Sequence, residues 1–273
     1  MNDNLVTIRA WGDYACFTRP EMKVERVSYP VMTPSAARGV LEAIFWEPEI
    51  YYLIDSIHII QRGRWFSFRR NEVMSVISID SAKTWMKSPE KISPIQAGGG
   101  AKDGTQRNML ALAGVEYLIT AEVQLSDIGK KRGHPIKTYR TEIERRAKNG
   151  KCYHRPYLGV REFAADFDWE DDAQAALERR SAELGKSCKI IWPEEDLGLM
   201  LYDVFDHEQR TQGFRWLTTK EEQETRPKQK SAPRWEGLLV EPEAVFFQAN
   251  IKDAKLDCHP QRVRLARNQV TGA

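Results

Sequence analysis

The sequence is poor in cysteine, in long apolar runs and in net charge of either sign. Its 273 residues contain four cysteines, and no two of them form a CxxC pair, which argues against a zinc knuckle or a disulfide framework. The longest apolar runs, such as residues 51–54 and 197–202, are far too short to cross a bilayer. The first residues lack the basic and apolar regions of a signal peptide. We therefore expect a cytoplasmic protein that has no membrane partner.

Charge is nearly balanced over the whole chain but is sorted along it. Lys and Arg total 41 against 39 Asp and Glu, so the net charge of +2 excludes a uniformly basic protein. Residues 127–155 carry ten basic and three acidic side chains, whereas residues 164–208 carry four basic and thirteen acidic ones. A basic segment of this kind is typical of a surface that binds phosphates of a nucleic acid, and a solvated helix face is the alternative. If the basic segment binds a nucleic acid, we expect the acidic segment to face away from it.

The order of the predicted elements favours an α+β fold. Thr33 and Pro34 supply an N-cap and a first helical residue, and an apolar stripe follows them, which predicts a helix over 34–46. The order strand, helix, three strands, helix, strand resembles a ferredoxin-like (RRM-type) core with one extra strand. We predict such a domain over 1–165 and a smaller, mainly β C-terminal domain over 166–273. The remaining predictions are strands over 5–11, 50–60, 65–79, 115–125 and 153–163, a helix over 141–148 and a loop over most of 81–108.

Aromatic residues lie among the basic ones in two places. Trp65, Phe66 and Phe68 lie among four arginines, and a second group lies within the basic segment, namely Tyr139, Tyr153 and His154. Aromatic rings stack on unpaired bases, at roughly 1–3 kcal/mol for each base, as in RRM-like sheets that bind RNA. The alternative is that these rings fill the core, and for Phe66 and Phe68 the two interpretations are equally supported.

The acidic run over 166–172 is a weak candidate for a metal site. It has neither the spacing of an EF-hand loop nor a glycine at a turn, so we interpret it as the acidic start of a helix. The sequence offers no compact set of His, Asp and Glu ligands elsewhere, and we predict neither a metal site nor a cofactor.

Three separated segments resemble one family of CRISPR-associated proteins. They are residues 12–48, the FRRNEV run at 68–73 and KNGKCYHRPYLGVREF at 148–163. They are similar to the subtype I-C (Dvulg) Cas5d family of the RAMP superfamily. The resemblance implies an RRM-like N-terminal domain, metal-independent cleavage of the CRISPR repeat at the base of its stem-loop, and products with a 2′,3′-cyclic phosphate and a 5′-hydroxyl. It also implies that the protein stays on the crRNA 5′ handle, with the other type I-C Cascade subunits as partners.

The resemblance also assigns candidate catalytic residues. The family uses a tyrosine in the first helix and a Lys–His pair just before the second. By position the tyrosine falls on Phe45, the lysine on Lys137, and the histidine on Thr138 or Tyr139. We predict that Lys137, Tyr139 and His154 are catalytic, with Lys137 as the positive charge at the scissile phosphate and the other two as groups that orient or move protons. For each of them the alternative role is a phosphate clamp on the surface.

The surrounding basic side chains are predicted to hold the RNA. The alternative function is a non-catalytic crRNA-binding scaffold subunit of Cascade, and a more distant one is a metal-dependent DNA nuclease. The predicted RNA-binding residues are Arg64, Arg69, Arg70, Lys130, Lys131, Arg132, His134, Arg140, Arg145, Arg146, Lys148, Lys151 and Arg155.

Overall fold

The computed structural model describes residues 4–96, 98, 100–188, 192–204, 211 and 244–267. The helices are α1 (Pro34–Ile44), α2 (Ile79–Lys87), α3 (Asp127–Arg132), α4 (Ile136–Lys148) and α5 (Ala173–Glu183), with short 3₁₀ turns at Pro20–Met22 and Pro89–Lys91. The strands are β1 (Leu5–Ala15), β2 (Arg26–Val27), β3 (Ile50–Gln61), β4 (Arg64–Val73), β5 (Gly104–Leu125), β6 (Asp166–Glu170), β7 (Glu194–Asp203), β8 (Val245–Lys252), β9 (Lys255–Asp257) and β10 (Leu265–Arg267).

The strands of the described residues form one sheet around the long strand β5. Its order is β10-β8-β9-β3-β5-β1-β6, with β2 and β4 paired to β5, and β7 paired to β8. Every pairing is antiparallel except that of β2 with β5. The first half of β5 pairs with β4, and its second half lies between β1 and β3. The predicted α+β class is therefore confirmed as a mixed fold with a large antiparallel sheet, and its ferredoxin-like arrangement stays a prediction.

Helix α1 packs its apolar stripe on this sheet. The predicted helix is confirmed at its start, where the side chain of Thr33 accepts a hydrogen bond from the backbone of Ala36 at 3.2 Å. Its apolar side chains, including Val40 and Leu41, are fully buried in the main core. The helix ends at Ile44, two residues earlier than predicted, because the following residue adopts an extended backbone.

The predicted loop over 81–108 is wrong at both of its ends. Helix α2 occupies 79–87, and Ser78 caps it by accepting a hydrogen bond from the backbone of Ser81 at 3.0 Å. Strand β5 begins at Gly104 rather than at residue 115, because β4 supplies a partner strand whose pairing the local composition does not reveal. Strand β4 itself ends at Val73, before the predicted end at 79.

The predicted strand over 153–163 is also wrong. The segment is a series of turns with one bridge between Tyr157 and Ala164. Pro156 lacks a backbone donor, and Gly159 has φ +88°, so the chain reverses there instead of extending. A Cβ at Gly159 would lie 2.1 Å from the carbonyl oxygen of Cys16, so only glycine allows this turn to lie against the end of β1.

The first strand after the predicted domain boundary at 165 joins the common sheet. Strand β6 pairs with β1, and the main core includes apolar residues of β8 and β9 together with those of β1 and β3. The division into domains stays a prediction, and residues 205–210 and 212–243 of the predicted C-terminal domain lie outside the described residues. No helix in the described ranges is long and apolar enough to cross a membrane.

Candidate active site

An open cleft of about 860 Å³ lies between the end of α1 and the first half of α4. It brings together side chains from the α1–β3 connection, the end of α3, helix α4 and the segment that follows α4. Its lining residues are Phe45, Glu47, Glu49, Arg132, His134, Pro135, Lys137, Thr138, Tyr139, Thr141, Glu142, Arg146 and Tyr153.

Hydrogen bonds attach α3 to the connection that follows α1. The Ser126 hydroxyl donates to the carbonyl of Pro48 at 2.7 Å and accepts from the backbone of Gly129 at 3.2 Å. A Cβ at Gly129 would lie 2.2 Å from the carbonyl oxygen of Glu49, so only glycine permits this approach. Arg132 at the end of α3 then forms an ion pair with the buried carboxylate of Glu49. These contacts fix one wall of the cleft.

Tyr153 also lines the cleft, where its side chain contacts three other lining residues. Its backbone N–H donates to the carbonyl of Ala43 at 2.9 Å, which fastens the segment to the end of α1. Its ring stacks on Phe45 at 6.1 Å between centroids, and the guanidinium of Arg146 lies 4.3 Å from the ring centroid. Its hydroxyl donates to Oε1 of Glu47 at 2.9 Å. Burial, followed by this hydrogen bond, raises the pKa of Tyr153, so the phenol stays protonated near neutral pH.

The structure brings two of the three predicted catalytic residues into the cleft. Lys137 and Tyr139 line it, in the first turn of α4, although only 7% of Tyr139 is exposed. Burial raises the pKa of Tyr139, and the nearby Arg132 opposes this shift. His154 is not among the lining residues, and its ring stacks on Tyr157 with 6.5 Å between centroids. Of the predicted RNA-binding residues, Arg132, His134 and Arg146 line the cleft.

Most predicted RNA-binding cations of α4 are paired with carboxylates of the same helix. Arg145 and Arg146 bind Glu142 at 2.7 and 2.8 Å. Arg140 and Lys148 bind Glu144 at 2.6 and 2.8 Å. The hydrogen bond from Arg145 is the main reason that the pKa of Glu142 falls to about 2. Helix α4 therefore presents much less free positive charge than its composition predicts.

Three exposed lysines near the cleft differ from these paired cations. Lys131, Lys137 and Lys151 have no hydrogen bond or ion pair from their side chains in the described part of the chain, and we call them the unpaired lysines. Lys130 and Arg155, by contrast, bind Asp127 at 3.0 Å and Asp166 at 2.5 Å. Within residues 127–155, the unpaired lysines are therefore the cations most available to phosphates.

The side chains of β4 form a second group, which is not part of the cleft lining, and they alternate between the two faces of the strand. Arg64, Phe66, Phe68 and Arg70 share one face, and Trp65 and Arg69 share the other. Half of Trp65 and 40% of Phe66 are exposed, whereas Phe68 is partly buried against the small cluster around Met109. The core alternative therefore applies to Phe68 but not to Phe66. Arg64 has no partner among the described side chains. Arg69 binds Gln106 at 3.3 Å and Arg70 binds Glu162 at 3.0 Å.

The acidic run after residue 165 is used for pairing and capping. Residues 166–170 form β6, so the predicted acidic start of a helix is wrong there. Asp172 caps α5 by accepting a hydrogen bond from the backbone of Ala175 at 2.6 Å, and Asp171 accepts from the indole of Trp169 at 2.7 Å. Among the described residues, no three or more His, Cys, Asp or Glu side chains form a group that could hold a metal ion.

Sequence reasoning missed the pairing of Tyr153 with Glu47. Tyr153 was predicted only as one of several rings in the basic segment, and Glu47 had no predicted role. The two residues are 106 positions apart. The sole sequence signal was the position of Phe45, where the resembling family has a tyrosine, since the Tyr153 ring now stacks on that residue.

Comparisons with known proteins agree on one family. The Cas5d model of the CRISPR-associated proteins (Cas_Cas5) matches residues 5–254. A CRISPR pre-crRNA endoribonuclease Cas5d from Mannheimia succiniciproducens is 39% identical over 218 residues, which cover 78% of this chain and 90% of that protein. A protein of the same name from Thermus thermophilus is 43% identical over 167 residues, covering 60% of this chain and 63% of its own length.

Two solved structures share the fold at 16% sequence identity. A crystal structure described as a CRISPR-associated protein has a TM-score of 0.53 and covers 93% of this chain, with 90% of its own chain matched. A functionally uncharacterized protein from Streptococcus mutans has a TM-score of 0.54 and covers 94% of this chain, with 93% of its own chain matched. At this identity the two structures support the fold alone.

Proposed function

Since the chain belongs to the Cas5d family of CRISPR-associated proteins, we propose that it is an endoribonuclease that cleaves the repeat stem-loop of CRISPR precursor RNA. The cleavage is metal-independent and proceeds by attack of a ribose 2′-hydroxyl on the adjacent phosphate, which leaves a 2′,3′-cyclic phosphate and a 5′-hydroxyl. The observation that carries this proposal is the cleft, where the unpaired Lys137 lies among groups that can bind phosphate and move protons.

The cleft residues can meet the requirements of this reaction. The attacking hydroxyl must lose a proton, the leaving 5′-oxygen must gain one, and the phosphorane needs a positive charge beside it. Lys137 supplies that charge and a proton for the leaving oxygen. Arg132 and Arg146, held by Glu49 and Glu142, position the neighbouring phosphates. Tyr139, which is mostly buried, orients the ribose from the floor of the cleft.

We further propose that the protein keeps its product. It remains on the crRNA 5′ handle as a subunit of the type I-C Cascade complex in the cytoplasm. A ferredoxin-like N-terminal domain would carry the cleft, and the C-terminal domain would lie beside it. The exposed ring of Phe66, on the same face of β4 as Arg64, offers a second surface for unpaired bases.

One observation favours a non-catalytic scaffold subunit as the second candidate. Phe45 occupies the place of the family tyrosine, is almost fully buried and has no hydroxyl to contribute. If no other group replaced that hydroxyl, the protein would bind the repeat hairpin without cleaving it.

Incubation of the pure protein with an end-labelled repeat hairpin in EDTA tests the proposed function. We expect cleavage at one position near the base of the stem, and we expect Lys137→Ala to lower its rate by at least about 10²-fold. Lys83→Ala removes the same charge from an exposed position of α2 and is the matched control, with no change expected. Binding without cleavage would instead favour the scaffold, and cleavage only after metal is added would refute metal independence.

A further inference from the structure

Of the two tyrosines that line the cleft, Tyr153 is the one whose side chain is open to a substrate over a larger area. About half of Tyr153 is exposed, whereas Tyr139, the other tyrosine of the lining, is 7% exposed. The Tyr153 hydroxyl donates its hydrogen bond to Oε1 of Glu47, at 2.9 Å. Its oxygen is therefore left as an acceptor for a hydroxyl that approaches from the cleft.

Three contacts fix this hydroxyl in place before any substrate arrives. The ring lies against Phe45 on one side and is covered by the guanidinium of Arg146. Arg146 is itself held by Glu142 at 2.8 Å, and the backbone of Tyr153 is tied to Ala43. A group that is fixed in this way loses little further freedom when the reaction begins, which is what proton transfer in a transition state requires.

The chemistry of the pair is that of a relay rather than of a single base. Burial and the hydrogen bond to Glu47 keep Tyr153 protonated, so a free phenolate is not the form that acts. The carboxylate of Glu47 can accept the phenol proton at the moment when the phenol oxygen receives another one. Tyr153 then transmits basicity from Glu47 to a hydroxyl that the carboxylate does not itself contact.

We propose that Tyr153 and Glu47 form a proton relay that accepts the proton of the attacking 2′-hydroxyl. This inference rests on the proposed function. As the O2′–P bond forms, the 2′ proton moves to the Tyr153 oxygen, and the Tyr153 proton moves to Oε1 of Glu47. The P–O5′ bond breaks, and O5′ takes a proton from the ammonium group of Lys137. The step ends with a cyclic phosphate, a 5′-hydroxyl, a neutral Glu47 and a neutral Lys137, and exchange of protons with water restores both side chains.

Two conservative variants test the relay in single-turnover cleavage of the repeat hairpin. Tyr153→Phe keeps the ring between Phe45 and Arg146 and removes the hydroxyl, and Glu47→Gln keeps the shape but cannot take up the proton. Each should lower the rate about 10²-fold, and the double variant should be no slower than the singles, because the two groups act as one unit. Tyr157→Phe, outside the lining, is the control and should cleave at the wild-type rate. Binding of a hairpin with a 2′-deoxy scissile nucleotide should stay within about twofold in all of them.

A substrate with a sulfur leaving group distinguishes the Tyr153–Glu47 relay from the proton donor, Lys137. A hairpin with a bridging 5′-phosphorothiolate needs no proton on its leaving atom, so it should restore the part of the rate that Lys137→Ala loses with the proton donor, and it should not rescue Tyr153→Phe. Wild-type cleavage that survives Tyr153→Phe, or rescue of that variant by sulfur, would overturn the relay and leave the proposed function standing. A wild-type protein that binds the hairpin but never cleaves it would overturn both.

Discussion

The salt dependence of RNA binding should separate the unpaired lysines from other exposed lysines. The variant to test replaces Lys131, Lys137 and Lys151 together by alanine. Each lysine that neutralises a phosphate contributes about 0.7–0.9 to the slope of log affinity against log salt, so three contacts contribute about 2 to 3. The variant should therefore bind more weakly at low salt, and over a fourfold rise in salt its affinity should fall roughly 20- to 40-fold less than that of the wild type.

The assay is fluorescence anisotropy with a labelled, non-cleavable 2′-deoxy hairpin over a series of salt concentrations. The matched control replaces Lys83, Lys87 and Lys91, which are exposed residues in and just after α2, and it removes the same charge. Its slope should stay close to that of the wild type. Equal slopes for the two triple variants would refute the argument, because the slope would then report net charge rather than contact with phosphates.

The same measurement compares paired with unpaired cations. Arg145 is held by two hydrogen bonds to Glu142, at 2.7 and 2.8 Å, whereas Lys151 has no partner in the described ranges. Lys151→Ala should flatten the slope by about one phosphate contact, or 0.7–0.9, and Arg145→Ala should flatten it by less than half of that amount. Equal effects would show that Arg145 exchanges Glu142 for a phosphate without penalty.

Three further predictions concern the fold. Glu116→Gln removes the charge of a buried carboxylate that Arg180 binds at 2.7 and 2.8 Å. This variant should lower the free energy of unfolding, measured in urea, by roughly 2–3 kcal/mol. A loss within error would show that water replaces the ion pair. Gly159→Ala should abolish the cooperative thermal transition, because the new Cβ would lie 2.1 Å from a backbone oxygen. Gly150→Ala is the control, since Gly150 has open space and φ +61°, and it should lower the free energy of unfolding by only about 1–2 kcal/mol. Similar losses of stability in the two variants would refute the steric argument. The pKa of Glu142 is lowered to about 2, so the stabilising effect of its ion pairs is complete above the ordinary pKa of Glu and disappears as the pH falls toward 2. The difference in unfolding free energy between wild type and Glu142→Gln should therefore close in that pH interval during an acid titration. A difference that stays constant would contradict the lowered pKa.

Local sequence signals were sufficient to predict elements whose own residues determine where they begin or what they form. The start of α1 follows from Thr33 and Pro34, whose effects act within one turn of the chain. Strand β3 also agrees with its prediction to within one residue, because the segment is rich in Ile, Tyr and Leu. The start of β5 could not be predicted in this way, since it depends on β4, a partner that lies some forty residues earlier.

The same difference between local and distant contacts applies to the candidate site. Lys137 and Tyr139 could be placed near each other because only one residue separates them in the sequence. The contact of Tyr153 with Glu47 could not, because it requires the segment after α4 to return to the end of α1, where Ala43 accepts its backbone hydrogen bond. Side chains that a turn brings together from distant segments leave no periodic signal in the sequence.

Charge that is sorted along the chain is not sorted to the same degree in space. The acidic segment is expected to face away from a bound RNA, and that expectation stays a prediction. Two of its carboxylates nevertheless lie beside the basic segment, since Asp166 binds Arg155 at 2.5 Å and Asp171 lies 3.6 Å from Lys148. Together with the carboxylates of α4, these contacts neutralise much of the positive charge of residues 127–155 within the molecule. Within that segment the unpaired positive charge lies on Lys131 before α4, on Lys137 in its first turn and on Lys151 after its end. An RNA strand attracted to these lysines would pass over the cleft, so pairing of the other cations would direct the phosphates toward Lys137 rather than along the whole of the helix.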